Sequence, residues 1–410
     1  MIDFLKVNTL KNLIVKPCYD RDALMGNSKF IPYGRQDITE DDIAAVENAL
    51  RSDFLTQGPM VPLFEKAVAS YTDAQHAVGV NSATSALHIA CLALGVGKGD
   101  RVWTSPLSFV ASANCALYCG ADVDFVDIDP LTWNMSPARL QEKLVAAKAS
   151  GQLPKVVIPV HLCGASADMR AIHTLAQEYG FRIIEDASHA VGGRYGDLSV
   201  GSCQYSDITV FSFHPVKIVT AGEGGVALTN DDALAKNMAM LRSHGITRDS
   251  DVMENAPEGP WYYEQKMLGF NYRMTDIHAA LGLSQWARLD GYIQTRHQLV
   301  QRYNEAFENL PLATQRQEYG VHSAWHLYVI RVGAERHLHV FNALKEAGIG
   351  VNLHYIPIHQ QPFYRALGFN KGDFPEAEKY YAEAITLPIF PRLSHEDQDR
   401  VIAEVQKRLS

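Results

Sequence analysis

The chain is poor in the features that mark several common protein classes. It has six cysteines in 410 residues, with no CxxC pair among them. Cys115 and Cys119 could share a helix face, but no second closely spaced Cys/His pair completes a zinc site. No metal is therefore expected, and the cysteines are expected as buried free thiols in a reducing compartment. No stretch approaches the roughly 18 apolar residues of a membrane span. The opening MIDFLKVNTLKNLIVKP scatters its charges and lacks an apolar block with a small-residue cleavage site. A secretory signal is not expected there, and a cytoplasmic location is. Lys and Arg number 37 against 46 Asp and Glu, a formal charge of −9 with no dense basic block. Neither nucleic acid nor a membrane surface is an expected partner. GVGKGD (95–100) lacks the spacing of a Walker loop, and no strand is followed by GxGxxG. Internal repeats and low-complexity linkers are also missing.

What is present reads as an ordinary soluble globular chain, with 47% hydrophobic and 20% charged residues. It is long enough for more than one core. Residues 1–28 read as an N-terminal extension, 29–285 as a large domain and 286–410 as a smaller C-terminal α/β domain. Helices are expected at 40–50, with Thr39 as N-cap, and at 61–71. Strands are then expected at 77–80, 101–105, 123–128, 155–160, 181–187, 207–213 and 224–229, with helices at 82–95, 110–120 and 169–180 between them. Short strands alternating with helices predict an α/β fold with a mostly parallel sheet covered on both faces. Ligands bind such sheets beyond the carboxyl ends of the strands. That places Ser105–Phe109, Asp186–His189 and Ser212–Lys217 on one rim. The region 274–307 reads as helical. After it come a strand (325–332), a helix (336–348), an extended segment (351–359) and helices at 376–387 and 395–409.

Four segments carry chemistry. In DITVFSFHPVKIVTAGEGGVALTND (207–231), Lys217 lies just past a strand end between Pro215 and a run of glycines, and Ser212 could offer a hydroxyl to a phosphate. In FRIIEDASHA (181–190), Asp186 follows an apolar strand, where a carboxylate is costly unless paired; His189 lies three residues on. In VGVNSATSALHIA (78–90), Ser82, Thr84 and Ser85 stand where a strand becomes a helix, whose free N–H groups attract anions. In TSPLSFVASAN (104–114), Phe109 follows another strand end. Taken singly, each has a plain structural reading: a surface lysine, a capping Asp, N-capping hydroxyls, a packing aromatic. Together they make the set that pyridoxal 5′-phosphate needs: a phosphate cradle, a ring cover, a carboxylate for the ring nitrogen and an amine for a Schiff base.

The motifs SFHPVK with GEGG, EDASHA, NSATSAL, GFNYRMTDIHAALGLSQ (269–285), WHLYVI and HYIPIH resemble the DegT/DnrJ/EryC1/StrS sugar aminotransferases, from about Phe30 to Leu409. The resemblance implies the fold-type I, aspartate-aminotransferase-like architecture of PLP-dependent enzymes, and a homodimer with shared active sites. It implies Lys217 as the Schiff-base lysine and Asp186 as the partner of the pyridine nitrogen. It puts His189 at the ring oxygen and Phe109 on the ring face, with Ala83, Thr84 and Ser212 on the phosphate. Ala83 replaces the family's usual Gly, and VTAGEGG (219–225) departs from ITTGEGG. Asn271 is expected to reach the phosphate of the other subunit. Arg273, Arg242, His244 and His359 are candidates for the substrate's diphosphate, while His326 and Tyr355 have structural readings. IPYGRQDITEDDIAAV (31–46), SDFLTQGPMV (52–61) and LRSHGITRD (241–249) resemble the branch that takes a UDP-linked 4-keto sugar, with L-glutamate as amino donor.

Overall fold

The computed structural model describes residues 30–409. The N-terminal extension assigned to 1–28, and Cys18 with it, lies outside the described residues. Seven strands form the main sheet: β1 (His76–Val80), β2 (Arg101–Thr104), β3 (Asp122–Phe125), β4 (Val156–Ile158), β5 (Arg182–Asp186), β6 (Ile208–Ser212) and β7 (Gly225–Thr229), in the order β1-β7-β6-β5-β4-β2-β3. Only β7 runs against the others, pairing antiparallel with both β1 and β6. The six co-directed strands thus end on one rim, where β7 begins. The strands are apolar along most of their length, as a sheet covered on both faces requires.

All seven strands and every helix expected before residue 190 are found, within a residue or two of the expected bounds except that the strand expected over 123–128 ends at Phe125. Helix Pro137–Ser150 is absent from the sequence-based expectation, although Ser136 as N-cap and Pro137 behind it carry a clear start signal. The helical region at 274–307 divides into Asp276–Trp286 and Leu289–Phe307. The helix expected over 376–387 is corrected: it stops at Glu383, and Ala384–Leu387 is a strand. The β-branched Ile385 and Thr386 pair there with Ile330 and Val329.

The smaller C-terminal α/β region is built on the antiparallel strands Ala313–Thr314, Tyr328–Arg331 and Ala384–Leu387, covered by helices Ala334–Glu346 and His395–Leu409. Helix Leu289–Phe307 runs from one region to the other. Leu289 and Ile293 pack in the core of the large sheet, whereas Leu299, Tyr303 and Phe307 pack in the C-terminal core. Ile31, expected with the large domain, packs instead into that C-terminal core, paired with Ile349. Among the described residues, no helix is long and apolar enough to cross a membrane. Cys91, Cys115, Cys163 and Cys203 are buried free thiols, and Cys119 is partly buried.

The first helix, Glu40–Arg51, is pinned to Asp276–Trp286 by one carboxylate. Asp42, fully buried, accepts hydrogen bonds from Arg288 (2.7 Å), Gln285 (2.7 Å), Ser284 (2.7 Å) and the Thr39 backbone (2.9 Å). Burial alone would raise its pKa, but the four donors together hold it below the ordinary carboxylate value. A carboxylate depressed by folding stabilises above its unfolded pKa, and that stability is lost as pH falls through the folded value. Asp42→Ala is expected to destabilise by about 2 kcal/mol near neutral pH, because four donors lose their acceptor. Denaturant midpoints should also converge toward wild type as the pH falls below the ordinary carboxylate value.

Candidate active site

The strand-end rim carries a cavity of about 290 Å³. Ser82, Ala83, Thr84, Phe109, Asp186, His189, Ser212 and Lys217 all line it, so the segments expected on one rim do meet.

One end of the cavity is the start of helix Ala83–Ala93. Ser82 is its N-cap and accepts from the Ser85 N–H at 3.2 Å. The N–H groups of Ala83 and Thr84, in the first turn, have no intrahelical acceptor. Gly225 makes this close packing possible. It sits in register with Val80 on one side and Ser212 on the other, and a Cβ built on it would lie 2.5 Å from the Ala83 nitrogen. Gly225→Ala must therefore push the helix start away from the strand. Its phosphate-dependent ligand affinity is expected to fall by about tenfold or more, on overpacking costs of about 1–3 kcal/mol. Titrating the ligand-free protein with pyridoxal phosphate checks this.

Lys217 lies in the loop joining β6 to β7. The loop is held shut where the Phe213 N–H donates to Gly224 O (2.9 Å) and the Ala221 N–H donates to Phe213 O (2.9 Å). Phe213 is anchored in turn against Phe64 and Trp286, with ring centroids 5.0 and 6.1 Å away. Ala221, where the family pattern has Thr, is fully buried in that core. Lys217 is partly buried. Burial of its amine, opposed by the Asp186 carboxylate, draws its pKa down from 10.5 to about 8.

Asp186 ends β5 and is 5% exposed. Its Oδ2 accepts from Ser112 Oγ at 2.6 Å and its Oδ1 from the Ser188 N–H at 3.2 Å. His189 Nε2 is 2.9 Å from the Tyr355 hydroxyl, while its Nδ1 is buried without a partner. Burial, with Lys217 and His354 nearby, holds the His189 imidazole neutral, its pKa well below the usual value. His326, 4.5 Å from the His189 ring, is depressed for the same main reason, and His354 falls to about 3. Phe109 is 58% exposed at the cavity's edge, 6.2 Å from the Tyr355 ring.

Other expected residues lie elsewhere. Arg242 is corrected: its guanidinium pairs with Glu65 and donates to Gly79 O at 2.7 Å, which leaves it tied inside the fold rather than on the cavity. His359 is likewise corrected, being fully buried with Nε2 2.9 Å from Glu378 and its ring against Phe374. His244 is exposed and does not line the cavity. Asn271 and Arg273 also stand outside it, on a segment running beside β1: Arg273 bridges to Val80, and the Asn81 N–H donates to Tyr272 O at 2.8 Å. Tyr33, His354, Tyr355, His214 and Glu223 line the cavity and carry no site role in the sequence reading. The first three come from parts of the chain far from the sheet motifs, so spacing alone gave no signal for them.

Comparison with known proteins decides the class. The model of the DegT/DnrJ/EryC1/StrS aminotransferase family matches residues 36–406. The chain belongs to this family. It is 39% identical over 384 residues to the spore coat polysaccharide biosynthesis protein SpsC of Bacillus subtilis, covering 92% of this chain and 96% of SpsC. Among solved structures, it is similar to Helicobacter pylori PseC, an aminotransferase involved in the biosynthesis of pseudoaminic acid, at 30% identity and a TM-score of 0.85, covering 93% and 99% of the two chains. It is also similar to the PLP form of the putative sugar aminotransferase Spr1654 from Streptococcus pneumoniae, at 30% identity and a TM-score of 0.83, covering 93% and 100%. This DegT-family protein is a PLP-dependent aminotransferase of fold type I. Its cavity fits the cofactor: it is lined by the helix start with its free N–H groups, a nearly buried carboxylate, an imidazole with a buried nitrogen in need of a partner, and an amine of lowered pKa.

Proposed function

We propose that the enzyme transfers the amino group of L-glutamate to C4 of a UDP-4-keto-6-deoxy-HexNAc. The products are UDP-4-amino-4,6-dideoxy-N-acetyl-β-L-altrosamine and 2-oxoglutarate. The observation that carries the chemistry is that Lys217 and Asp186 line one cavity together with the helix start at Ala83. The similarity to PseC over nearly the whole of both chains supports the choice of sugar.

When bound, pyridoxal phosphate supplies the electron sink for cleaving a C–H bond next to nitrogen. In this reading the Ala83 and Thr84 N–H groups and the Ser212 hydroxyl hold the phosphate. Asp186 keeps the ring nitrogen protonated. His189, whose Nε2 can accept from Tyr355, offers its Nδ1–H to the ring oxygen, and Phe109 covers the ring face. Lys217 Nζ, with its pKa near 8, would take the proton from the donor's Cα and pass it to the cofactor within that half-reaction, and would carry a proton the opposite way, onto C4 of the sugar, in the second. The neutral imidazoles of His189, His326 and His354 add no positive charge beside that amine.

A homodimer follows from the same reading. Phe54, Leu55, Trp261 and Leu268 leave at least half of their surfaces exposed. A two-fold partner would cover them and bring Asn271 and Arg273 to the neighbouring cavity, Arg273 toward the substrate's diphosphate. The similarity to SpsC favours a second reading, a different nucleotide-linked keto sugar with the same chemistry. Incubation with glutamate and a panel of UDP- and dTDP-linked keto sugars, with product stereochemistry read by NMR, tests the proposal. Turnover of the β-L-arabino 4-keto sugar at the highest kcat/KM supports it; preference for another sugar replaces it with the second reading.

A further inference from the structure

Asp186 is nearly sealed from water, yet among the described residues no lysine, arginine or histidine forms an ion pair with it. A carboxylate in such a place stays ionised only if hydrogen-bond donors replace its water. Two donors do so. The Ser188 N–H reaches Oδ1 at 3.2 Å, and the Ser112 hydroxyl reaches Oδ2 at the much shorter 2.6 Å. Ser112 has a single hydroxyl hydrogen, and the Asp186 oxygen at 2.6 Å takes it ahead of the Phe109 carbonyl at 3.3 Å. The 2.7 Å contact between Ser112 Oγ and Ser108 Oγ must then be a bond that Ser108 donates. The result is a one-way relay, Ser108 to Ser112 to Asp186, with both hydroxyls buried at 3% and 0% exposure. Ser112 does not line the cavity, so its hydroxyl acts on the site only through the carboxylate. It also lies one helical turn beyond Phe109, whose carbonyl accepts the Ser112 N–H at 3.3 Å. One turn of chain thus supplies both the aromatic at the cavity's edge and the support for the carboxylate within it.

We propose that Ser112, backed by Ser108, is the positioning residue for Asp186: by donating to Oδ2 it fixes the carboxylate that would meet the ring nitrogen of bound pyridoxal phosphate. The inference rests on Asp186 facing that nitrogen. Removing the Ser112 hydroxyl raises the cost of the charge on Asp186, so the ring nitrogen gives up its proton more readily and the cofactor is held less tightly. Replacing serine by threonine keeps the donor.

The test uses the full chain, stripped of cofactor and titrated with pyridoxal phosphate. For Ser112→Ala, the dissociation constant should rise about tenfold, the usual scale for one charge-assisted hydrogen bond. The pH midpoint of the loaded protein's visible absorbance should shift as well. Ser112→Thr should restore both, and adding Ser112→Ala to Asp186→Asn should change little further. Wild-type affinity together with an unmoved midpoint in Ser112→Ala would overturn the proposal, as would a change in thermal stability alone. If Ser112→Ala does not fold, Ser108→Ala carries the test through the midpoint alone, because Ser108 itself lines the cavity and its loss acts on affinity directly: a shifted midpoint supports the relay, and an unmoved one refutes it. A wild-type protein that takes up no pyridoxal phosphate would instead refute the underlying cofactor reading.

Discussion

Lys217→Ala should lose at least about a thousandfold in turnover and the visible absorbance of the cofactor-loaded protein, while keeping the fold. The expected loss is large because one amine serves two purposes, as covalent anchor and as proton carrier, and proton transfer alone is worth about 10²–10⁴. The loop around Lys217 is held by the Phe213 backbone and by aromatic packing beneath it, none of which involves the lysine side chain. Absorbance spectra, single-turnover assays and circular dichroism on the same sample separate the loss of chemistry from loss of structure. The lowered pKa adds a pH dependence. Only the neutral amine attacks an aldehyde, so cofactor uptake by the ligand-free protein should speed up with pH and level off above about 8. Normal turnover in Lys217→Ala, or uptake that is flat across that range, would refute the assigned role.

Asp186→Asn should retain measurable cofactor but slow both half-reactions, by about a hundredfold or more. Asparagine fills the same volume but cannot hold the ring nitrogen's positive charge, and a lost buried electrostatic partner is worth about 3–5 kcal/mol. The phosphate end of the cavity is untouched, so binding should suffer less than rate. Stopped-flow measurement of each half-reaction, with glutamate and then with the keto sugar, checks this; wild-type rates in both would remove Asp186 from the mechanism.

Much of this site was legible in the chain because its parts are local. Asp186 ends a strand, Lys217 and the helix start at Ser82 each follow one, and strand ends in a parallel sheet share a rim. The second half of the cavity was not legible. Tyr355 and His354 reach it from the C-terminal region and Tyr33 from the approach to the first helix, through packing that no sequence spacing reports. Ser112 and Gly225 act through atoms they touch across the fold: a carboxylate 74 residues away and the backbone nitrogen of Ala83. Arg242 and His359 were misread for the opposite reason. A basic residue in a family motif suggests an anion, but here Glu65 and Glu378 already occupy their polar faces. The strand at Ala384–Leu387 was hidden by the helical pattern running into it.

The distribution of the cavity walls along the chain bears on how the enzyme matures. Residues as far apart as Tyr33 and Tyr355 enclose the same space, so a nascent polypeptide cannot form it until nearly all of its length has left the ribosome. Vitamin capture in the completed cavity is therefore a late event in synthesis, after the far wall at Tyr355 has emerged.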